Sequence, residues 1–118
     1  MNRRLLILTM FLGILVHHAS AQYARQWVAR YAGPQGKGDD RAVAIAADAD
    51  SNIYVTGYIN QKGTGYDIAT IKYKPSGERA WVAIYAGAKE DRGKAVAVDT
   101  GNNVYVTGAS YDAASGYD

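Results

Sequence analysis

The sequence predicts an all-β fold made of tandem four-stranded antiparallel units. One hexapeptide occurs twice, as Asn52-Ile53-Tyr54-Val55-Thr56-Gly57 and as Asn103-Val104-Tyr105-Val106-Thr107-Gly108. Around each copy, short runs of β-branched and aromatic residues alternate with turn-forming clusters. Residues outside the hexapeptide recur as well. Trp27, Tyr31 and Gly33 return 54 positions on as Trp81, Tyr85 and Gly87. Asp40, Arg41, Asp48, Asn52, Tyr66 and Asp67 return 51 positions on as Asp91, Arg92, Asp99, Asn103, Tyr117 and Asp118. The difference of three falls in the loop after Gly33, so length varies in a loop while the strands keep register.

Taken in order, residues 26–32 read as a strand that Gly33-Pro34 ends. Residues 41–47, Arg-Ala-Val-Ala-Ile-Ala-Ala, are alanine-rich enough for a helix. They are too short for one, however, and Asp48-Ala49-Asp50-Ser51-Asn52 turns straight into the strand at 53–58. A loop over 60–65 leads to a strand at 67–73, and Lys74-Pro75-Ser76-Gly77-Glu78 places Pro and Gly as a β-turn requires. A last strand over 79–86 completes the unit. The second unit supplies strands within 92–110 and reaches the start of a third at Tyr117-Asp118.

Residues 1–21 read as a signal peptide: Arg3-Arg4, an apolar run over 5–16, and Ala19-Ser20-Ala21 as the cleavage end. The apolar run is short of the roughly 20 residues a spanning helix needs. Both His, both Met and the only Phe lie in this leader. The full chain has 13 Lys+Arg against 11 Asp+Glu, and without Arg3 and Arg4 the two signs balance at 11 each. The mature chain is therefore formally neutral and lacks the clustered positive charge of a nucleic-acid partner. With no His and no Cys after residue 21, catalytic triads built on His, zinc sites and disulfides are excluded. No cofactor is expected.

Four short strands per unit of about fifty residues is the arithmetic of a β-propeller blade. In that frame residues 41–47 are an inner strand crowded between blades, 68–73 an outer one, and Trp and Tyr the wedges between blades. The segment Asp67-Ile68-Ala69-Thr70-Ile71-Lys72-Tyr73, the turn through Ser76-Gly77, Trp81-Val82-Ala83 and the repeated hexapeptide together resemble the bacterial SBBP repeat. That resemblance implies an exported protein with tandem four-stranded blades and implies no reaction. The domain reading is a signal peptide over 1–21 and an incomplete propeller region over 22–118, with a full blade at 41–86 and the start of the next at 92–118. Because a propeller closes with at least four blades, the chain is expected to be a fragment of a longer cell-surface or secreted protein.

Propeller topology brings the loops around Lys37, Asp39, Asp40 and Arg41 beside Asn60, Gln61, Lys62, Tyr66 and Asp67. Lys89, Glu90, Asp91 and Arg92 are the second-unit counterparts. Asp40, Arg41, Tyr66, Asp67, Asp91 and Arg92 are the ligand-contact candidates on this loop face. Their recurrence in each unit also fits a turn and ion pair that every blade needs. Asp48-x-Asp50-x-Asn52 opens like a calcium loop, but Ile53 stands where Gly is required and Ile59 where Glu is required, so it reads as a turn. The expectation is a non-catalytic interaction scaffold with a protein or glycan partner, further blades in cis, or self-association. The alternative is part of a propeller-fold carbohydrate-active hydrolase or lyase, with Asp39, Asp40 or Asp67 as candidate acid and base.

Overall fold

The computed structural model describes residues 25–118 apart from 35, 37, 88, 113, 115 and 118. The leader, Lys37 and Asp118 lie outside the described residues. The described chain is all β, with two antiparallel sheets and no helix. The first sheet is a meander, β1 (Arg41–Ala47), β2 (Ile53–Gln61), β3 (Gly65–Tyr73) and β4 (Arg79–Tyr85), each strand paired with the next. The second repeats the beginning of that order as β5 (Asp91–Val98), β6 (Val104–Asp112) and the two-residue β7 (Gly116–Tyr117).

The turns follow from local chemistry. Asp48 and Asp99 each begin a tight turn whose αL residue is Ser51 in one copy and Asn102 in the other, both at φ 63°. The β2–β3 turn is tighter than the loop read at 60–65: β2 runs on to Gln61 and β3 starts at Gly65, because Gly63 (φ 102°) and Gly65 (φ 84°) adopt backbone angles that other residues avoid. At the opposite end Gly77 (φ 86°) closes the turn from Lys74 to Glu78.

Strand pairing sorts the side chains onto two faces with a period of two. Ile53, Val55, Gly57 and Ile59 share one face with Tyr73, Ile71, Ala69 and Asp67; Tyr54, Thr56 and Tyr58 share the other with Lys72, Thr70 and Ile68. The second face receives β5, which lies against β1, β2 and β3. Thr56 and Thr70 meet there through their hydroxyls at 3.0 Å, and both are buried. Gly93 of β5 sits directly on this layer. A Cβ there would stand 2.8 Å from the Gly57 carbonyl oxygen and 2.9 Å from Thr56 Oγ1, so only glycine lets the sheets approach this closely.

The hexapeptide glycine has its own reason. A bulge at residues 42–44 shifts the β1–β2 register, and an identical one at 93–95 shifts β5–β6. Each bulge pushes a backbone carbonyl, that of Arg41 or Arg92, onto the place a Cβ of Gly57 or Gly108 would occupy.

The structure corrects four readings. Residues 26–32 form no strand, because the described chain offers them no ladder to pair with. They are held by side chains instead: Trp27 stacks on Tyr73 at 5.8 Å and donates its indole N–H to the Pro75 carbonyl at 3.0 Å. β1 is not crowded; Ile45 is 69% exposed, as no described segment covers that part of the strand. β3 is the most buried strand rather than an outer one, since β2 and β4 flank it, and β4 carries the exposed edge. Trp81 is not a wedge between sheets but packs at 6.0 Å on Tyr54 of its own sheet.

Replacing Gly57 with Ala forces β1 and β2 apart at the bulge and should cost about 3 kcal/mol. Urea unfolding of the Gly57→Ala chain should show the loss as a lowered midpoint with an unchanged slope.

Candidate binding rim

Antiparallel order places the β2–β3 turn, the segment entering β1 and the segment entering β5 at one end of the molecule. The adjacency read from the sequence is present: Gly38 lies against Asn60, and the Tyr66 hydroxyl donates to Asp39 Oδ2 at 3.5 Å. Within that end, the six candidate residues separate into two groups.

Asp40, Asp91 and Asp67 are structural. The Asp40 carboxylate accepts the Gly33 N–H at 2.8 Å on one oxygen and the Asn60 N–H at 2.9 Å on the other. Asp91, fully buried, accepts the Gly87 N–H on Oδ2 and the Ser110 hydroxyl on Oδ1. Gly33 and Gly87 are repeat equivalents, each just after the segment that precedes a sheet. Each aspartate thus ties the exit of one unit to the first two strands of the next. Where Asn60 donates to Asp40, its equivalent Tyr111 donates its N–H to the Glu90 carbonyl at 2.9 Å. Asp67 is fully buried and accepts the Thr64 hydroxyl at 2.8 Å on Oδ2, while Oδ1 has no partner among the described residues.

Arg41, Tyr66 and Arg92 belong to an exposed or half-buried band of tyrosines, guanidiniums and acids. Arg92 lies over two rings, 5.0 Å from Tyr66 and 5.5 Å from Tyr58, and these rings meet edge to face at 5.1 Å. Its guanidinium also reaches Glu90 at 3.2 Å, and Glu90 accepts the Tyr117 hydroxyl at 3.2 Å. Arg41 and Asp39 repeat that ion pair at 3.4 Å. The Asp39 carboxylate, foremost, and then Tyr58 favour the charged guanidinium and push the Arg41 pKa up. Tyr111 and Tyr117 form a second edge-to-face pair, also at 5.1 Å, with Lys89 5.5 Å from the Tyr111 ring. Sequence reasoning missed Tyr58 and Tyr111 as members of this band. Tyr111 falls on Asn60 in the repeat and Tyr58 on Ala109, so recurrence, the signal that found Tyr66 and Tyr117, does not point to either.

The Asp48 and Asp99 turns lie at the far end of the sheets and are closed on themselves. Asp48 accepts from the N–H groups of Asp50 and Asn52, the Asn52 amide and the Tyr54 hydroxyl, all at 2.9 Å. Asp99 takes the same four from Gly101, Asn103 and Tyr105. Among the described residues, no three His, Cys, Asp or Glu side chains converge on a metal position.

Around Asp48 desolvation favours the neutral acid, but the hydrogen bonds from Asn52, Tyr54 and Asp50 together outweigh it and hold the carboxyl below its ordinary value. At Asp99 the Asn103 side chain leads the same downward shift. A carboxyl lowered on folding stabilises the protein above its unfolded pKa, and that contribution is lost as pH falls through the folded value. Thermal midpoints should therefore hold from neutral pH to about 4 and drop below it. Replacing both residues with Asn should flatten that acid limb.

Two clefts mark where units meet. One, of about 300 Å³, lies between Trp27, Ala29 and Tyr31 and the Val55–Gly57 face of the first sheet. The other, of about 400 Å³, lies between Ala83 and Tyr85 of β4 and the Val106–Gly108 face of the second. These linings are repeat equivalents, so the segment 26–32 sits on the first sheet as β4 sits on the second. No curated protein matches the chain. The stretch holding this segment, the Asp40 tie, β1 and all of β2 does match a known family: residues 26–63 fit the model of the SBBP beta-propeller repeat.

Proposed function

We propose that the chain is an exported, non-catalytic propeller-type module whose rim of tyrosine, arginine and acid binds a protein partner. The supporting observation is the band formed by Asp39, Arg41, Tyr58, Tyr66, Glu90, Arg92, Tyr111 and Tyr117 at one end of the two sheets. Tyrosine and arginine are the residues in which the energetic centres of protein interfaces are enriched. Their rings and guanidiniums are already held in place by neighbours, so little side-chain entropy remains to be lost on binding. A non-catalytic role is supported by how the carboxylates are used. Asp40, Asp91, Asp48 and Asp99 each accept several hydrogen bonds from the chain itself. Export is supported by the leader at residues 1–21.

Photo-crosslinking in the cell envelope of an expressing host tests the reading. A photoreactive residue at Tyr66 or Tyr117 should capture a discrete protein, whereas one at Lys74, in the turn at the opposite end, should not. Equal capture from both ends, or none from the rim, would contradict it. N-terminal sequencing of the same material should begin at Gln22, and retention of Met1 would contradict export with cleavage.

A further inference from the structure

The contact between the two sheets has a donor half and an acceptor half, and each half recurs elsewhere on the molecule, exposed among the described residues. In the internal contact the donor is the entrance to β5: Arg92, paired with Glu90, followed by Gly93. The acceptor is the second face of the first sheet, with the Tyr58–Tyr66 pair at its rim and Thr56 beneath. The donor's repeat equivalent is the entrance to β1, where Arg41 is paired with Asp39 and followed by Ala42. The acceptor's equivalent is the corresponding face of the second sheet, with Thr107 beneath and the Tyr111–Tyr117 pair at its rim.

We infer that these two halves engage between copies, so that the chain self-associates head to tail. Arg41 of one copy then enters the Tyr111–Tyr117 pair of the next. The contact rests on part of the rim described above, Arg41, Tyr111 and Tyr117, and names a second copy as its occupant; it is read on the purified chain alone, so its failure leaves capture of a different protein at the rim untouched.

Four features support a second copy as the occupant. The tyrosine pairs match in geometry, with centroids 5.1 Å apart and interplanar angles of 74° and 70°. Ala109 stands where Tyr58 does, and Tyr111, two residues on, supplies the second ring. Among the described residues, Lys89 lies over the Tyr111 ring and no arginine lies over either ring of this pair. The Arg41 side chain is 62% exposed, yet it is already paired with the acid two positions before it, as Arg92 is while stacked. Finally, a copy docked in this way carries its own segment 26–32 past β6 and the two-residue β7, where, among the described residues, the receiving sheet has no fourth strand to answer β4. A contact between unlike surfaces repeats from copy to copy, giving a ring or an open filament.

The fit is looser than the internal one at a single atom. Ala42 stands where Gly93 does, and a Cβ there meets the carbonyl corresponding to Gly57 at 2.8 Å, so the copies must sit slightly apart. The association is accordingly reversible.

Sedimentation velocity of the exported chain over a wide concentration range tests this. The chain should associate as concentration rises. Arg41→Ala and Tyr117→Ala should each weaken association about tenfold, the scale of losing one arginine–aromatic contact as it is desolvated. Both residues are exposed, and far-UV circular dichroism should show each variant folded. Mixing the two variants should restore a 1:1 dimer and nothing larger, because one sound donor then meets one sound acceptor. Ala42→Gly should tighten association. A monomer at every concentration would overturn the inference. So would association that neither variant weakens, a mixture that restores no dimer, or weaker association of Ala42→Gly.

Discussion

A buried carboxylate with two amide or hydroxyl partners holds this architecture together. Asp91 takes the Gly87 N–H from the end of the first sheet and the Ser110 hydroxyl from within the second. A charge this deep is costly to leave unpaired. Its partners lie on two segments that no ladder joins, so satisfying it fixes how one sheet leaves and the next begins. Asp40 does the same work one unit earlier, with Gly33 and Asn60. The glycines at 57, 93 and 108 act on the scale below, removing side chains where backbones must touch. The tie sets the hand-over between units, and the glycines set the distance.

These two devices explain the placement of the rim. The aspartate ties sit at the end where each unit is entered, the same end as the β2–β3 turn. The side chains next to them in sequence, Arg41 and Arg92, therefore emerge at the junction between units, beside tyrosines of β2 and β3. Arg92 lands on Tyr58 and Tyr66 because the sheet that carries it is already anchored one residue earlier by Asp91. The geometry that builds the stack of sheets also builds the band of aromatic and charged groups at its edge.

Much of the fold was legible in the sequence because a repeat is a measurement made twice. Residues 41–47, 53–58, 67–73 and 79–86 gave strands within a few residues of those observed, and the turn residues marked the boundaries. The segment 26–32 defeated the same logic. Its composition is that of a strand, but a strand requires a neighbour, and composition says nothing of neighbours. The alternation over 68–73 misled for a related reason: Thr70 looks solvent-facing in one dimension, yet it is buried against the Thr56 hydroxyl in three. At the rim, recurrence identified Asp40 and Asp91 as shared parts without revealing that they are ties. It pointed to neither Tyr58 nor Tyr111, because each ring comes from a position the other unit fills differently.

Amide hydrogen exchange at Gly33 and Gly87 tests the aspartate tie most directly. Both N–H groups lie outside any strand, and among the described residues their hydrogen-bond partners are the Asp40 and Asp91 carboxylates. The expected result is protection of both amides in the native chain, lost at Gly33 in Asp40→Ala and at Gly87 in Asp91→Ala. Exchange of either amide at the rate of an unstructured peptide in the native chain would contradict it.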